Sequence, residues 1–144
     1  MLEVKFYDNV ADKLLEFAVI ISKTNGKWIF CKHKERDTYE VPGGHRELGE
    51  SIVDTAKREL AEETGAVEFD MKPICVYSVR GKTRVSKSAK DEKFGMLFAA
   101  DVFSFEELHS EIEEILITDT LVENWTYPLI QPKLIKEAEK RGFV

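Results

Sequence analysis

Histidine, cysteine and proline are scarce in this 144-residue chain, with three, two and four of each, and no long apolar run interrupts it. A membrane-spanning helix needs about eighteen or more apolar residues in succession, so none is expected. The start, MLEVKFYDNV, lacks a basic region followed by an apolar stretch, which argues against a secretory leader and for a cytoplasmic protein with no membrane partner. Cys31 and Cys75 each lie in an apolar, strand-like setting, and two such residues make no disulfide framework; they read as buried, reduced thiols. His33, His45 and His109 lack metal-ligand spacing and no Ser-His-Asp or Cys-His arrangement is recognisable, so all three are expected at the surface. Positive charge is also in deficit. A formal net charge of −6 argues against a nucleic-acid polymer as partner. A small anionic substrate stays open, because a bound divalent ion inverts the local field.

What is present is an ordinary globular composition, 43% hydrophobic and 33% charged, without repeats or low-complexity tracts. The length suits one domain spanning residues 1–144. Leu2 to Tyr7 alternates as a half-exposed strand would. Glu16 to Ser22 and Lys27 to Cys31 are apolar, β-forming runs joined through Thr24-Asn25-Gly26, a hairpin signature. A third extended piece, Tyr39 to Val41, is expected to stop at Pro42-Gly43-Gly44. Ile74 to Val79, Phe94 to Phe103 and Ile115 to Thr118 read as further strands, Phe105 to His109 as a helical turn, and Pro132 to Arg141 as a closing helix that buries Leu134, Ile135 and Ala138. This order predicts a mixed sheet with helices packed on it, an α/β or α+β layered domain.

One helix carries the chemistry. Ser51 as N-cap and Gly65 as a left-handed C-terminal residue delimit it to Ile52–Thr64, with Val53, Ala56 and Leu60 as the predicted core stripe. At about 100° per residue, Glu59, Glu62 and Glu63 share one face. Like charges so placed repel, and a hard dication such as Mg²⁺ or Mn²⁺ relieves them. Spacing alone leaves a solvated acidic helix equally open.

The wider pattern narrows this. Gly44, five residues, Glu50, seven residues, and then Arg58-Glu59-Leu60-Ala61-Glu62-Glu63-Thr64-Gly65-Ala66 resembles the signature of the Nudix hydrolases from residue 44 to residue 66. The resemblance implies an α/β/α sandwich with a mixed central sheet. It also implies metal-dependent hydrolysis of a phosphoanhydride in a nucleoside diphosphate linked to a further group, with Mg²⁺ as cofactor and Mn²⁺ as substitute. By that resemblance Glu59, Glu62 and Glu63 bind the metal with the Gly44 carbonyl, and Glu111, in a later acidic run, is the candidate further ligand. Glu59, Arg58 and Glu62 are the candidates for catalytic roles: Glu59 to help activate the water, Arg58 to orient a glutamate, with Glu50 as its partner.

For the substrate, Asn124 lies where some MutT-like members place a purine-reading asparagine. Arg80, Lys82 and Arg84 belong to a locally basic stretch, Arg80 to Lys93, that reads either as phosphate-contacting or as a solvated hairpin tip. The form favoured is a MutT-like nucleoside triphosphate pyrophosphohydrolase acting on an oxidised purine such as 8-oxo-dGTP. ADP-ribose and diadenosine polyphosphate hydrolysis are the enzyme alternatives, and a non-catalytic nucleotide sensor is the alternative of another class. The resemblance adds a homodimer as the expected assembly.

Overall fold

The central strand of the sheet is an unbroken apolar run, Ala18-Val-Ile-Ile21, and such a run is stable only where both faces of a strand are covered. The computed structural model describes residues 2–81, 91–108 and 112–144, with only the backbone at 113. Lys82, Arg84, His109 and Glu111 lie outside the described residues. In chain order the elements are β1 (Glu3–Tyr7), a 3-10 turn (Asp12–Leu14), β2 (Leu15–Thr24), β3 (Lys27–His33), β4 (Gly43–His45), α1 (Ile52–Thr64), β5 (Ala66–Arg80), β6 (Glu92–Phe105), β7 (Ile112–Thr118) and α2 (Gln131–Lys140). The strands run β1-β5-β6-β2-β3-β7, with β4 also paired to β2. The β2–β6 pair is parallel and the other named pairs are antiparallel, so the sheet is mixed.

Alternation along β2 divides the core. Ala18 and Ile20 pack with Phe98 and Ala100 of β6 beneath Ile52, Ala56 and Leu60 of α1. Val19 and Ile21 face the other way and pack with Phe30, Leu97 and Tyr77 beneath Leu134, Ile135 and Ala138 of α2. The result is the layered α/β/α arrangement expected. Among the described residues, no helix is long and apolar enough to cross a membrane.

Several elements depart from expectation for nameable reasons. The hairpin turn forms, with Asn25 and Gly26 at φ of 50° and 78°, but β2 and β3 pair only at Lys23↔Trp28 and Thr24↔Lys27 before parting. The returning chain fills the gap. Glu40 bridges to Cys31, the Ile20 amide donates to the Pro42 carbonyl at 2.9 Å, and Gly43–His45 pairs with Phe17–Val19. Pro42-Gly43-Gly44 therefore leads into a strand rather than ending one. Strand β5 begins at Ala66, well before Ile74, because its first half has β6 on one side only and carries Glu68, Asp70 and Lys72 outward. Residues 106–108 have no regular structure where a helical turn was expected. Val53 is exposed, and the stripe that α1 buries is Ile52, Ala56 and Leu60. Cys31 and Cys75 are buried and free, as expected.

Candidate active site

Local signals set α1 in place. The Ser51 hydroxyl accepts the Asp54 amide at 3.0 Å, capping the first turn. At the other end Gly65 is left-handed at φ 78° and donates to the Ala61 carbonyl, closing the helix where a side chain would strike the Glu106 carbonyl. The last two turns then lie against β4, with Glu59 over Gly44 and Glu63 on the Gly43 amide. Burial along the acidic face is graded: the Glu62 side chain is half exposed at 52%, that of Glu59 13% exposed, and that of Glu63 only 9%.

Each carboxylate is fixed differently. Arg58 grips Glu50 with both arms of its fork, Nε to Oε2 at 2.6 Å and Nη2 to Oε1 at 3.0 Å. Its Nη2 also donates to the His45 carbonyl, and its Nη1 to Glu59 Oε1 at 2.7 Å and Glu62 Oε2 at 3.4 Å. The Arg58–Glu50 pairing expected from sequence is thus present. This guanidinium, with the Glu47 amide and the Thr55 hydroxyl, holds the Glu50 carboxyl down at about 2. Glu59 is pushed the other way, to about 7, by burial first and the Glu63 charge second, against the opposing pull of Arg58.

Two glycines press these acids into position. A Cβ on Gly44 would lie 2.5 Å from Glu59 Cδ, so the carboxyl rests on the bare Cα. The Gly43 amide donates to Glu63 Oε1 at 2.7 Å, and a Cβ on Gly43 would lie 2.5 Å from the Ala18 carbonyl. In donor chemistry the three acids suit a divalent cation, but the structure does not converge them: Glu59 and Glu62 turn to Arg58, and Glu63 turns to His33. Glu59, Glu62 and Glu63 offer hard oxygens, and the Gly44 cradle admits the Glu59 carboxyl where a side chain would exclude it.

His33 is a correction. Expected at the surface, it points its Nε2 at Glu63 Oε2 at 3.2 Å and at Glu40 Oε2 at 3.6 Å, and its pKa is raised, chiefly by the hydrogen bond to Glu63. Glu40, itself buried and raised by that burial, also accepts Arg36 Nη1 at 2.8 Å. Nothing in the sequence spacing marks His33 or Glu40 as site residues. The signal that finds them is the return of the chain along β3, visible in the Cys31↔Glu40 bridge. His45 is exposed, its ring 4.4 Å from that of Phe17.

A cavity of about 230 Å³ opens beside this cluster. Its wall is apolar, with Phe17, Val19, Tyr77, Val79, Ile130 and Leu134, and His33, Arg36, Glu40 and Glu63 form a charged part of the lining with Gly43 and Gly44. Asn124 does not line it: its Nδ2 donates to the Asp37 carbonyl at 2.9 Å and its own carbonyl accepts the Tyr39 amide, which fastens two loops. Trp125 beside it packs edge-on against Phe30. The amide in the lining is Gln131, 6% exposed, whose Oε1 accepts the Val41 amide at 2.9 Å. Because Val41 can only donate there, the orientation of the Gln131 amide is set by its partner. Arg80 lies 3.6 Å from Glu92 and is half exposed, away from the cavity.

Comparison with known proteins identifies the family and the fold. A NUDIX domain model matches residues 12–126. The putative 8-oxo-dGTP diphosphatase YtkD of Bacillus subtilis (strain 168) is 41% identical over 66 residues, which are 46% of this chain and 41% of that protein; the matched part thus spans about two fifths of that relative. The crystal structure of the Bacillus subtilis pyrophosphohydrolase BsRppH (E68A mutant) superposes with a TM-score of 0.78 at 23% identity, covering 99% of this chain and 92% of that one. The NUDIX domain of Shewanella oneidensis NrtR, solved with ADP ribose, gives a TM-score of 0.60 at 14% identity over 88% of this chain and 87% of that one. The match to the family model extends over most of the chain, and the chain belongs to the NUDIX domain family.

Proposed function

We propose that this protein hydrolyses the phosphoanhydride of a nucleoside triphosphate with Mg²⁺, releasing a nucleoside monophosphate and pyrophosphate. The observation that carries the reading is the junction of two unlike environments: a glycine pair that seats Glu59 and Glu63, with Gly43, Gly44 and Glu63 forming one edge of an apolar cavity large enough for a base. A bound Mg²⁺ supplies charge neutralisation of phosphate oxygens and an acidified water. The protein's own residues do the rest. Glu59, Glu62 and Glu63 hold the cation with the Gly44 carbonyl. Arg58, clamped on Glu50, donates to Glu59 and holds its carboxylate in register to help orient the attacking water. Glu111 stays the candidate further ligand, and Lys82 and Arg84 stay candidates for phosphate contact.

For the base, the apolar wall of Phe17, Val19 and Val79 takes the ring faces, and Gln131 offers the polar contact. With its oxygen committed to Val41, its Nε2 is the group left to donate, which favours a base presenting a carbonyl oxygen over one presenting an amino group. An oxidised guanine fits that requirement, in line with the name of the YtkD relative. The test is incubation with Mg²⁺ and a panel of triphosphates, ADP-ribose and diadenosine polyphosphates, with products identified. Release of monophosphate and pyrophosphate is expected, with guanine-type substrates preferred and the preference lost in Gln131→Glu. Absence of any turnover across the panel rejects the enzyme reading in favour of a nucleotide sensor.

A further inference from the structure

Glu59 and Glu62 turn toward Arg58, whereas Glu63 turns toward His33. Among the described residues, the one set of three metal-binding side chains with ligand atoms already within 4.8 Å of one another is therefore His33, Glu40 and Glu63. We infer that these three form a second divalent-cation site, of mixed imidazole and carboxylate character, which takes Mn²⁺ in preference to Mg²⁺. The inference rests on the reading of α1 as a metal centre and extends it to two residues outside the signature.

The case is built from how each carboxylate is held. Glu40 gives Oε1 to Arg36 at 2.8 Å and keeps Oε2 toward His33; Glu63 gives Oε1 to the Gly43 amide at 2.7 Å and keeps Oε2 toward His33. Each acid is thus oriented from behind by a donor and presents its second oxygen to the same point. That division of labour is the one found around bound metals, where outer partners fix the direction of the ligating atom. Both acids are more than nine-tenths buried, at 6% and 7% exposure; Arg36 offsets one of the two charges and His33 sits between both, so a dication bound by the three would replace the imidazole proton as the neutralising charge. Metal ligands lie about 2.0–2.2 Å from the ion, which sets them roughly 3–4 Å apart; the 3.2 and 3.6 Å separations already measured here fall in that range. Imidazole nitrogen suits Mn²⁺, Co²⁺ or Zn²⁺ far better than Mg²⁺, which prefers an all-oxygen shell and holds its water. The site lines the cavity beside Gly43 and Gly44, so an ion there faces whatever the cavity holds.

The experiment is pulsed electron paramagnetic resonance on the full chain loaded with Mn²⁺, without nucleotide. Nitrogen hyperfine coupling to Mn²⁺ is expected in the wild type and in His45→Gln, and its loss in His33→Gln. In parallel, calorimetry should show Mn²⁺ affinity falling by about tenfold or more in His33→Gln, the usual cost of losing a ligand or its support, while Mg²⁺ affinity changes less than about twofold. A melting temperature for His33→Gln within a few degrees of wild type excludes misfolding. Mn²⁺ bound without nitrogen coupling overturns the second site and reduces His33 to an ion-pair clamp on Glu63, while Mg²⁺-dependent turnover would still uphold the enzyme reading. Coupling that survives in His33→Gln and disappears in His45→Gln also overturns it. No binding of either ion removes both.

Discussion

Gly43 and Gly44 are adjacent and chemically identical, yet the structure predicts opposite consequences for replacing each with alanine. At Gly44 the new Cβ would lie 2.5 Å from Glu59 Cδ and 2.6 and 2.7 Å from its two oxygens. Non-bonded carbon contact requires about 3.5 Å, so the carboxyl has to withdraw by about 1 Å. It is the end of a flexible side chain and can do so, and the backbone at Gly44 does not need a positive φ. The fold should survive with a melting temperature within about 2 °C of wild type. Turnover should not, because displacing a reacting group by about 1 Å costs on the order of a hundredfold, or about 2.7 kcal/mol of barrier. At Gly43 the Cβ would lie 2.5 Å from the Ala18 carbonyl and 3.1 Å from Val19 Cα, which are backbone atoms of the central strand. These cannot step aside without opening the β2–β4 pairing, so overpacking of about 2 kcal/mol or more is expected, lowering the melting point by roughly 6–8 °C. Thermal melts with Mg²⁺-dependent pyrophosphate release distinguish the two. Full activity in Gly44→Ala, or an unchanged melting temperature in Gly43→Ala, would refute the placement of the turn.

Three further outcomes follow from the same contacts. Glu63→Gln keeps the acceptor for the Gly43 amide but removes the charge, and should lower turnover by about a hundredfold with the circular dichroism spectrum unchanged; activity within about threefold of wild type contradicts its metal role. Leu60→Ala empties a fully buried position beneath α1 and should cost about 2–5 kcal/mol in urea denaturation; a loss under about 1 kcal/mol would mean that the helix does not seat there. Glu92 accepts the Tyr7 hydroxyl at 2.8 Å and the Ser78 hydroxyl at 2.6 Å, and its pKa is lowered by these bonds, Ser78 first. A depressed folded pKa stabilises above the unfolded value of about 4.3 and loses that contribution as pH falls through the folded one. Glu92→Gln should therefore melt lower than wild type at pH 7, with the gap narrowing as pH falls below the unfolded value of about 4.3, and a gap that does not change with pH rules out the charged acceptor.

How much of this was legible in the sequence depended on how local the governing contact was. The limits of α1 were readable because Ser51 and Gly65 act within one turn of themselves, through a cap to Asp54 and a left-handed closure on Ala61. The Arg58–Glu50 pair was readable because fixed spacing carried it. Strand β4 was not, since Pro42-Gly43-Gly44 has the composition of a breaker, and only the bared edge of β2 makes it a strand. The start of β5 was hidden by outward Glu68, Asp70 and Lys72, and its pairing partner lies some thirty residues on, at Ser104 through Ala99. Asn124 had the right residue type in the right region, but the loop hydrogen bonds it makes to Asp37 and Tyr39 are set by chain folding that no spacing records. His33 and Glu40 escaped for the same reason: seven residues apart on either side of a loop, they meet only because Glu40 returns to pair with Cys31.

The parting of β2 and β3 explains why fold and site cannot be separated in this chain. Two strands that diverge after two paired positions leave backbone donors and acceptors in the middle of a sheet, and buried backbone groups must find partners. The segment from Glu40 to His45 satisfies them, but it fits only with glycine at 43, pressed on the Ala18 carbonyl, and its own Gly43 amide then needs an acceptor. Glu63 is that acceptor. A carboxylate that completes the hydrogen bonding of a sheet is held far more rigidly than one on a free helix face, and its second oxygen is turned to His33. The same glycine turn leaves Gly44 bare beneath Glu59, so a single irregularity in strand pairing fixes two acids of the proposed metal centre at once. Loss of the β2–β4 pairing should accordingly reduce metal affinity and stability together, whereas loss of Glu59 placement through Gly44 alone should reduce only the first.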